Sequence, residues 1–185
     1  MDFISRKNTR KYTSQPGDLV IGLVLGRQGD YYQIDINDRF TALLQYYDFE
    51  GATKRNRPHL ETGSLIFAKV KSSNPCMNAV LTCSSSHNKK SWSSGEAEYG
   101  PLQKGYLSDC SVPLCQFLLS GPGKEFLSEL GEVFKFELIV GYNGKLWVSA
   151  PSPMQTILLA NTILKADTAT QEELSSLLGK VKKLA

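Results

Sequence analysis

The sequence has little of what an active site or a membrane protein requires. It contains two histidines, and no GxSxG, HExxH, P-loop or GxGxxG motif occurs. His59 and His87 both stand in polar, loop-like stretches, and Glu96 with Glu98 is more typical of a solvated loop than of an acid/base pair. No apolar run approaches the roughly 18 residues of a membrane span, and the amino terminus lacks the apolar core of a signal peptide. These absences argue against catalysis, a membrane partner and a small-molecule substrate, and predict an intracellular protein. Carboxylates brought together only by folding would leave no trace in the sequence, so catalysis is not ruled out by motifs alone.

Cysteine is also scarce, and its spacing matches no zinc pattern. In a reducing compartment the simplest interpretation is four thiols that bind no metal and no cofactor. The four residues are Cys76, Cys83, Cys110 and Cys115.

Charge of one sign is not in large excess. The formal net charge is +3, which permits nucleic acid as a partner without requiring it. The cations are nevertheless clustered, at Arg6, Lys7, Arg10 and Lys11, at Lys54, Arg55 and Arg57, and at Lys180, Lys182 and Lys183. Of the three clusters, the second, with three cations within four positions of one short loop, is the least typical of a plain solvated surface. They fit phosphates, or acidic residues of a neighbouring protein.

The first half of the chain predicts a small barrel. Five short apolar or alternating runs are separated by turns and one polar loop: GDLVIGLVLGR, DYYQIDI, FTALLQYY, SLIFAKVKSS and NAVLTCSS. Five such strands indicate an all-β barrel of the OB type. We assign residues 15–86 to this barrel and residues 1–14 to a basic amino-terminal arm. Residues 87–104, which are rich in Ser, Gly and Lys, form the boundary loop of a second domain that extends over residues 87–185.

The second domain is predicted to be α+β, with the order β-α-α-β-β-α-α. The third helix is expected to place an apolar stripe on one face, made of Met154, Ile157, Leu158 and Leu164. The last helix is indicated by a capping box at Thr170 and Glu173.

The strongest local signal is the hairpin over residues 133–150. Its strands alternate, and Asn143-Gly144 predicts a type I′ turn, in which both central residues have positive φ. Gly141 and Gly144 could also form a loop that grips a nucleic-acid backbone. Their place between two alternating strands favours a structural role instead, with Trp147 free to pack outside the core of its own domain.

The barrel contains candidate RNA-binding residues. OB-type barrels stack bases on aromatic side chains while basic loops hold phosphates. Because side chains alternate along a strand, Tyr31 should point outward and Tyr32 into the core. Phe40, on the predicted third strand, fits a stacking role and a packing role about equally. Lys54, Arg55 and Arg57 complete the predicted RNA-binding set.

Four segments in order resemble a known family: GDLVIGLVLGR, GDYYQIDI, FEGATKRNRP and GYNGKLWV. They are similar to the S1-type and KH domains of RNA exosome cap subunits, in particular the ribosomal RNA-processing protein 40 family. The resemblance implies a non-catalytic subunit that lies with other cap subunits on a ring of RNase PH-like proteins and helps to guide single-stranded RNA towards 3′-to-5′ processing and decay. It implies a location in nucleus, nucleolus and cytoplasm.

Two departures from the family pattern accompany the resemblance. Family members carry a further amino-terminal domain, of which the basic arm is expected to be a remnant. RNA-gripping KH domains have a G-x-x-G loop between their first two helices, where this chain has Gly121-Pro122-Gly123-Lys124.

The resemblance further implies that Gly141, Asn143, Gly144 and Trp147 form an interdomain structural motif. A scaffold without RNA contact, an S1-type translation-associated factor and an independent nuclease are the alternatives, the nuclease being the least favoured.

Overall fold

The computed structural model describes residues 12–53, 55–85, 89–94 and 96–167. Within these ranges the chain forms two compact units, one ending at Gln103 and the other beginning at Lys104. The predicted architecture of an all-β barrel followed by an α+β domain is confirmed. In the described ranges, no helix combines the length and apolar character that crossing a bilayer requires.

The first unit is a closed barrel. Its strands are β1 (Leu19–Gln28), β2 (Tyr31–Asp35), β3 (Ala42–Phe49), β4 (Leu65–Asn74), β5 (Met77–Cys83) and β6 (Gly100–Leu102). They follow the order β1-β2-β3-β5-β4-β6, and a further pairing of β1 with β4 closes the barrel. The inward positions are apolar, and Val20, Ile34 and Leu44 are fully buried. The period-two pattern in the sequence thus corresponds to one face turned into the barrel core.

The five predicted strands are all present, and the structure adds a sixth within the stretch assigned to the boundary loop. In β6, Leu102 is paired with Leu65 and Gly100 with Phe67 of β4, so residues up to 103 group with the barrel. A three-residue strand containing Gly and Pro carries no periodic signal, and its pairing with β4 is what makes it a strand.

At the other boundary, the last residues assigned to the basic arm belong to the barrel. Tyr12 and Ser14 are each 7% exposed. The Tyr12 hydroxyl donates to Asp18 at 2.8 Å, and the Ser14 backbone N–H donates to Asp38 at 2.9 Å. The remainder of the arm, residues 1–11, lies outside the described residues.

The second unit packs three helices with a three-stranded antiparallel sheet. Its elements are β7 (Tyr106–Asp109), α1 (Val112–Leu119), α2 (Gly121–Val133), β8 (Glu137–Gly141), β9 (Lys145–Ser149) and α3 (Pro153–Lys165). The sheet order is β7-β9-β8. Leu118 of α1, Leu130 of α2, Leu146 of β9 and Ile163 of α3 share one buried core. The predicted order is confirmed through α3, and the predicted last helix lies outside the described residues.

The predicted apolar face of α3 is only partly correct: Leu158 and Leu164 pack against the core, but the other two residues do not. Met154 and Ile157 are 81% and 56% exposed, and the buried face is built on Thr156, Leu159 and Ile163. The Thr156 hydroxyl donates to Ser152 O at 3.1 Å and accepts from the Ala150 N–H at 3.2 Å. Because these bonds satisfy its hydroxyl, Thr156 can lie on the buried face of α3 although it is polar. The prediction considered apolar residues alone and therefore missed it.

The predicted type I′ turn is also wrong. Among the described residues other than glycine, only Asn37 and Lys104 have positive φ, so Asn143 does not. Gly144 has φ +74°, and the pairing of Gly141 with Lys145 leaves a three-residue loop. A three-residue loop with a left-handed glycine is the next commonest hairpin connection, and it needs only one residue with positive φ.

Candidate nucleic-acid interface

The alternation on β2 separates its two tyrosines as predicted. Tyr31 is 38% exposed and Tyr32 is 2% exposed. The Tyr32 hydroxyl donates to Pro58 O at 2.9 Å and accepts from the Leu60 N–H at 3.3 Å. Its ring centroid lies 4.5 Å from that of Tyr46 on β3. Tyr32 therefore ties the β3–β4 loop to the barrel core, while Tyr31 remains available on the surface.

The β3–β4 loop brings Arg57 to the same end of the barrel. Its guanidinium carbon lies 5.0 Å from the ring centroid of Tyr46 and 5.8 Å from that of Tyr47. Arg57 Nη1 also donates to the Tyr47 hydroxyl at 3.4 Å. A guanidinium held over aromatic rings keeps its charge and loses less freedom when it binds a phosphate.

Tyr31 and Arg57 are linked across the sheet. Tyr31 is the register partner of Gln45 on β3, and Tyr47 follows two residues later on the same face. Arg55 is exposed in the loop, two residues before Arg57. We call Tyr31, Gln45, Tyr47, Arg55 and Arg57 the barrel face. It combines an exposed ring, an amide and two cations, which are the groups that bind single-stranded nucleic acid.

Of the other two predicted residues, one lies outside the described part of the chain and one lies elsewhere on the barrel. Lys54 lies outside the described residues. Phe40 is 39% exposed but precedes β3, which begins at Ala42, so its placement on the third strand is wrong. It lies in the β2–β3 turn, at the opposite end of the hairpin from Tyr31, about 15 Å along the strands at roughly 3.3 Å per residue. The Arg39 guanidinium carbon lies 5.4 Å from its ring centroid.

Arg27 is a further cation at the Tyr31 end of the barrel that the sequence did not single out. It lies opposite Tyr32 in the β1–β2 register, with its guanidinium carbon 5.7 Å from the Tyr32 ring centroid. Its Nη2 lies 2.8 Å from the ring nitrogens of His59 and donates to Leu60 O at 3.3 Å. A single arginine near the end of a strand forms no distinctive pattern in the sequence. Arg27 comes to lie beside His59, 32 positions away, only because the barrel closes.

Gly123 of the second unit is used for packing. Gly121 and Gly123 begin α2, and Ser120 is the only residue between α1 and α2. A Cβ on Gly123 would lie 2.1 Å from Phe117 O, so the glycine permits the close crossing of the two helices. Within the described residues no loop projects here, and the position of a G-x-x-G grip is occupied by a helical turn.

Two residues of the predicted hairpin motif are buried. Asn143 is 0% exposed and Trp147 is 4% exposed. A Cβ on Gly105 would lie 2.1 Å from Trp147 Cε2, so the indole covers the backbone just before β7. The predicted contact of this hairpin with the barrel stays a prediction.

Two features of the described residues bear on metal binding and catalysis. No group of three or more His, Cys, Asp or Glu residues there could hold a metal ion. An open groove of about 780 Å³ in the second unit is lined by a single carboxylate, Glu137, with Lys104 and Lys135 and without histidine or cysteine. This groove offers no acid/base pair and no nucleophile of the cysteine–histidine type.

A barrel of S1 type followed by a KH unit defines a class of nucleic-acid-binding proteins. Comparison with known proteins shows which family of this class the chain belongs to. Residues 12–95 match the family model for the S1 domain of exosome complex component RRP40, and residues 105–154 match a KH domain model. Exosome complex component RRP40 of Drosophila melanogaster is 34% identical over 170 residues, covering 92% of this chain and 70% of that protein. The chain belongs to the RRP40 family.

Other relatives agree in fold and differ in extent. RRP40 of Mus musculus is 35% identical over 164 residues, which are 89% of this chain and 58% of the mouse protein. The chain therefore spans less than two thirds of the mammalian relative. A crystal structure described as that of an exosome complex RNA-binding protein superposes with a TM-score of 0.74 at 21% identity, covering 94% of this chain and 97% of that one. At this identity the match supports the fold alone.

Proposed function

We propose that this chain is a non-catalytic, RNA-binding cap subunit of the RNA exosome, which helps to guide single-stranded RNA towards 3′-to-5′ processing and decay. Its partners would be other cap subunits and the RNase PH-like ring, in nucleus, nucleolus and cytoplasm. The observation that carries the RNA-binding part is the barrel face, in which exposed Tyr31 shares one surface with Arg57 fixed over Tyr46 and Tyr47.

The barrel face supplies both halves of single-strand recognition. Tyr31 offers a ring for base stacking, a contribution of about 1–3 kcal/mol per base that tolerates any sequence. Arg55 and Arg57 offer phosphate contacts, whose contribution falls as salt rises. The second unit, with Gly105, Gly123 and Gly144 in packed positions, supplies structure. Binding should therefore show slight sequence preference and strong salt dependence.

Crosslinking in the assembled complex tests the proposal directly. The tagged chain is co-purified with its partners, irradiated with bound single-stranded RNA, and the adducts are mapped by mass spectrometry. We expect ring subunits in the purified complex and adducts on peptides that contain Tyr31 or residues 55–57. A complex that assembles without any adduct on this subunit would favour the scaffold alternative, and a chain that recovers no exosome subunit would contradict both.

A further inference from the structure

Two cysteines of the second unit lie side by side. Cys110 follows β7 and Cys115 lies in α1, and both are free thiols. Their sulfur atoms are 3.2 Å apart. The other two cysteines differ: Cys76 is exposed in the barrel, and Cys83 is buried there with its thiol 3.7 Å from Phe67 O. With two sulfurs and no third ligand in a suitable group among the described residues, the pair is better suited to joining its own sulfurs than to holding a metal.

The hairpin turn holds the pair in place. The Cys110 N–H of the segment after β7 donates to Gly144 O in the hairpin turn at 2.9 Å. Cys115 is fully buried, whereas Cys110 is half-buried. Because Cys110 is only half-buried and Cys115 lies beside it, we expect a small reagent to reach Cys110 first and Cys115 to act as the resolving thiol.

The hydrogen bond between the sulfurs also makes one of them acidic. This hydrogen bond and the Gly144 backbone lower the pKa of the Cys115 thiol, against the opposing effects of burial and Asp167. The same bond, followed by burial, raises the pKa of Cys110. Cys115 is therefore the thiol of the pair that ionises first, and its charge then makes the second proton harder to remove.

We propose that Cys110 and Cys115 form an oxidation site at which a peroxide converts the two thiols into an intramolecular disulfide. Once Cys115 has ionised, it takes the Cys110 proton across the contact between the sulfurs, and the Cys110 thiolate attacks one peroxide oxygen as the O–O bond breaks. Cys110 becomes a sulfenic acid, and the leaving hydroxide takes the proton from Cys115 to form water. The Cys115 thiolate then attacks the Cys110 sulfur and displaces hydroxide. Two sulfurs are oxidised by one electron each, and the peroxide is reduced by two electrons. This proposal does not depend on RNA binding.

Peptide mapping of the full chain tests the site without any substitution. Trypsin releases both cysteines in one peptide, residues 105–124. The chain is treated with hydrogen peroxide, unfolded, alkylated with iodoacetamide and digested. We expect this peptide to lose two hydrogen atoms and to carry no alkyl group, roughly ten times faster than Cys83 is modified. Dithiothreitol should restore alkylation of both thiols.

Cys76 and a variant supply the controls. Cys76, which is exposed on the barrel, should not form an intramolecular disulfide. In Cys115→Ala, Cys110 should stop at the sulfenic acid, which dimedone traps. The proposal is overturned if the 105–124 peptide of the wild-type chain stays doubly alkylated after Cys76 has reacted, or if its oxidation resists dithiothreitol.

Discussion

Tyr31 on β2 of the barrel and Trp147 on β9 of the second unit are aromatic residues near glycines and cations, and they differ in exposure. Tyr31 leaves 38% of its surface exposed and Trp147 leaves 4%. In the barrel, Arg57 stacks on tyrosines and keeps its charge at the surface. In the second unit, Lys145 pairs with Asp109 of β7, and Trp147 covers Gly105. Similar residue types therefore remain at the surface in one unit and are packed in the other.

The largest effect is expected on stability, for the buried residue of this comparison, Trp147. Trp147→Ala removes a buried indole that rests on Gly105, and we expect it to destabilise the chain by about 3–5 kcal/mol. Thermal unfolding followed by circular dichroism measures the loss. The matched control is Tyr106→Ala, an aromatic residue of the same sheet that is 49% exposed. Equal losses for the two variants would contradict the packing role of Trp147.

The next effect concerns the hairpin turn. Gly144→Val places a β-branched residue at φ +74°, with its Cβ 2.8 Å from Cys110 O. We expect a loss of about 1–3 kcal/mol from the backbone strain alone. Gly131→Val, in α2 with open space around the added Cβ, is the control. RNA affinity of the folded Gly144 variant should be unchanged, and an affinity loss larger than the stability loss would revive the gripping loop.

On the binding side, Tyr31→Ala should weaken RNA binding and leave stability nearly unchanged. Loss of one stacking platform predicts about 1–3 kcal/mol in binding free energy. Fluorescence anisotropy with a labelled single-stranded RNA measures it. Tyr31→Phe keeps the ring and should bind like the wild type. If Tyr31→Phe weakens binding as much as Tyr31→Ala, stacking is not what Tyr31 contributes.

The smallest effect is expected at Phe40. It is as exposed as Tyr31 but lies at the other end of the β2–β3 hairpin. We expect Phe40→Ala to change RNA affinity by less than about 1 kcal/mol, below the range of one stacking platform. The same anisotropy assay decides, and a loss equal to that of Tyr31→Ala would extend the interface along the whole hairpin.

The sequence predicts those features that local patterns determine. The Tyr31/Tyr32 alternation and the five barrel strands follow from period two, and Gly144 follows from its need for positive φ. The face of α3 could be predicted only in part, because apolar residues surround most of that helix and a bonded Thr156 joins the core. The approach of Arg27 to His59 depends on barrel closure between residues far apart in the chain, which no local pattern records.

The central claim, that cations of the barrel and not those of the second unit bind RNA, has one direct test. The salt dependence of RNA affinity is compared for Lys54/Arg55/Arg57→Glu and for Lys104/Lys124/Lys135→Glu, three exposed lysines of the second unit. We expect the barrel variant to lose roughly tenfold or more in affinity and to lower the salt slope by about 0.7 per lost phosphate contact. The second-unit variant should bind like the wild type. Unchanged affinity in the barrel variant, or an equal loss in both, would contradict the account.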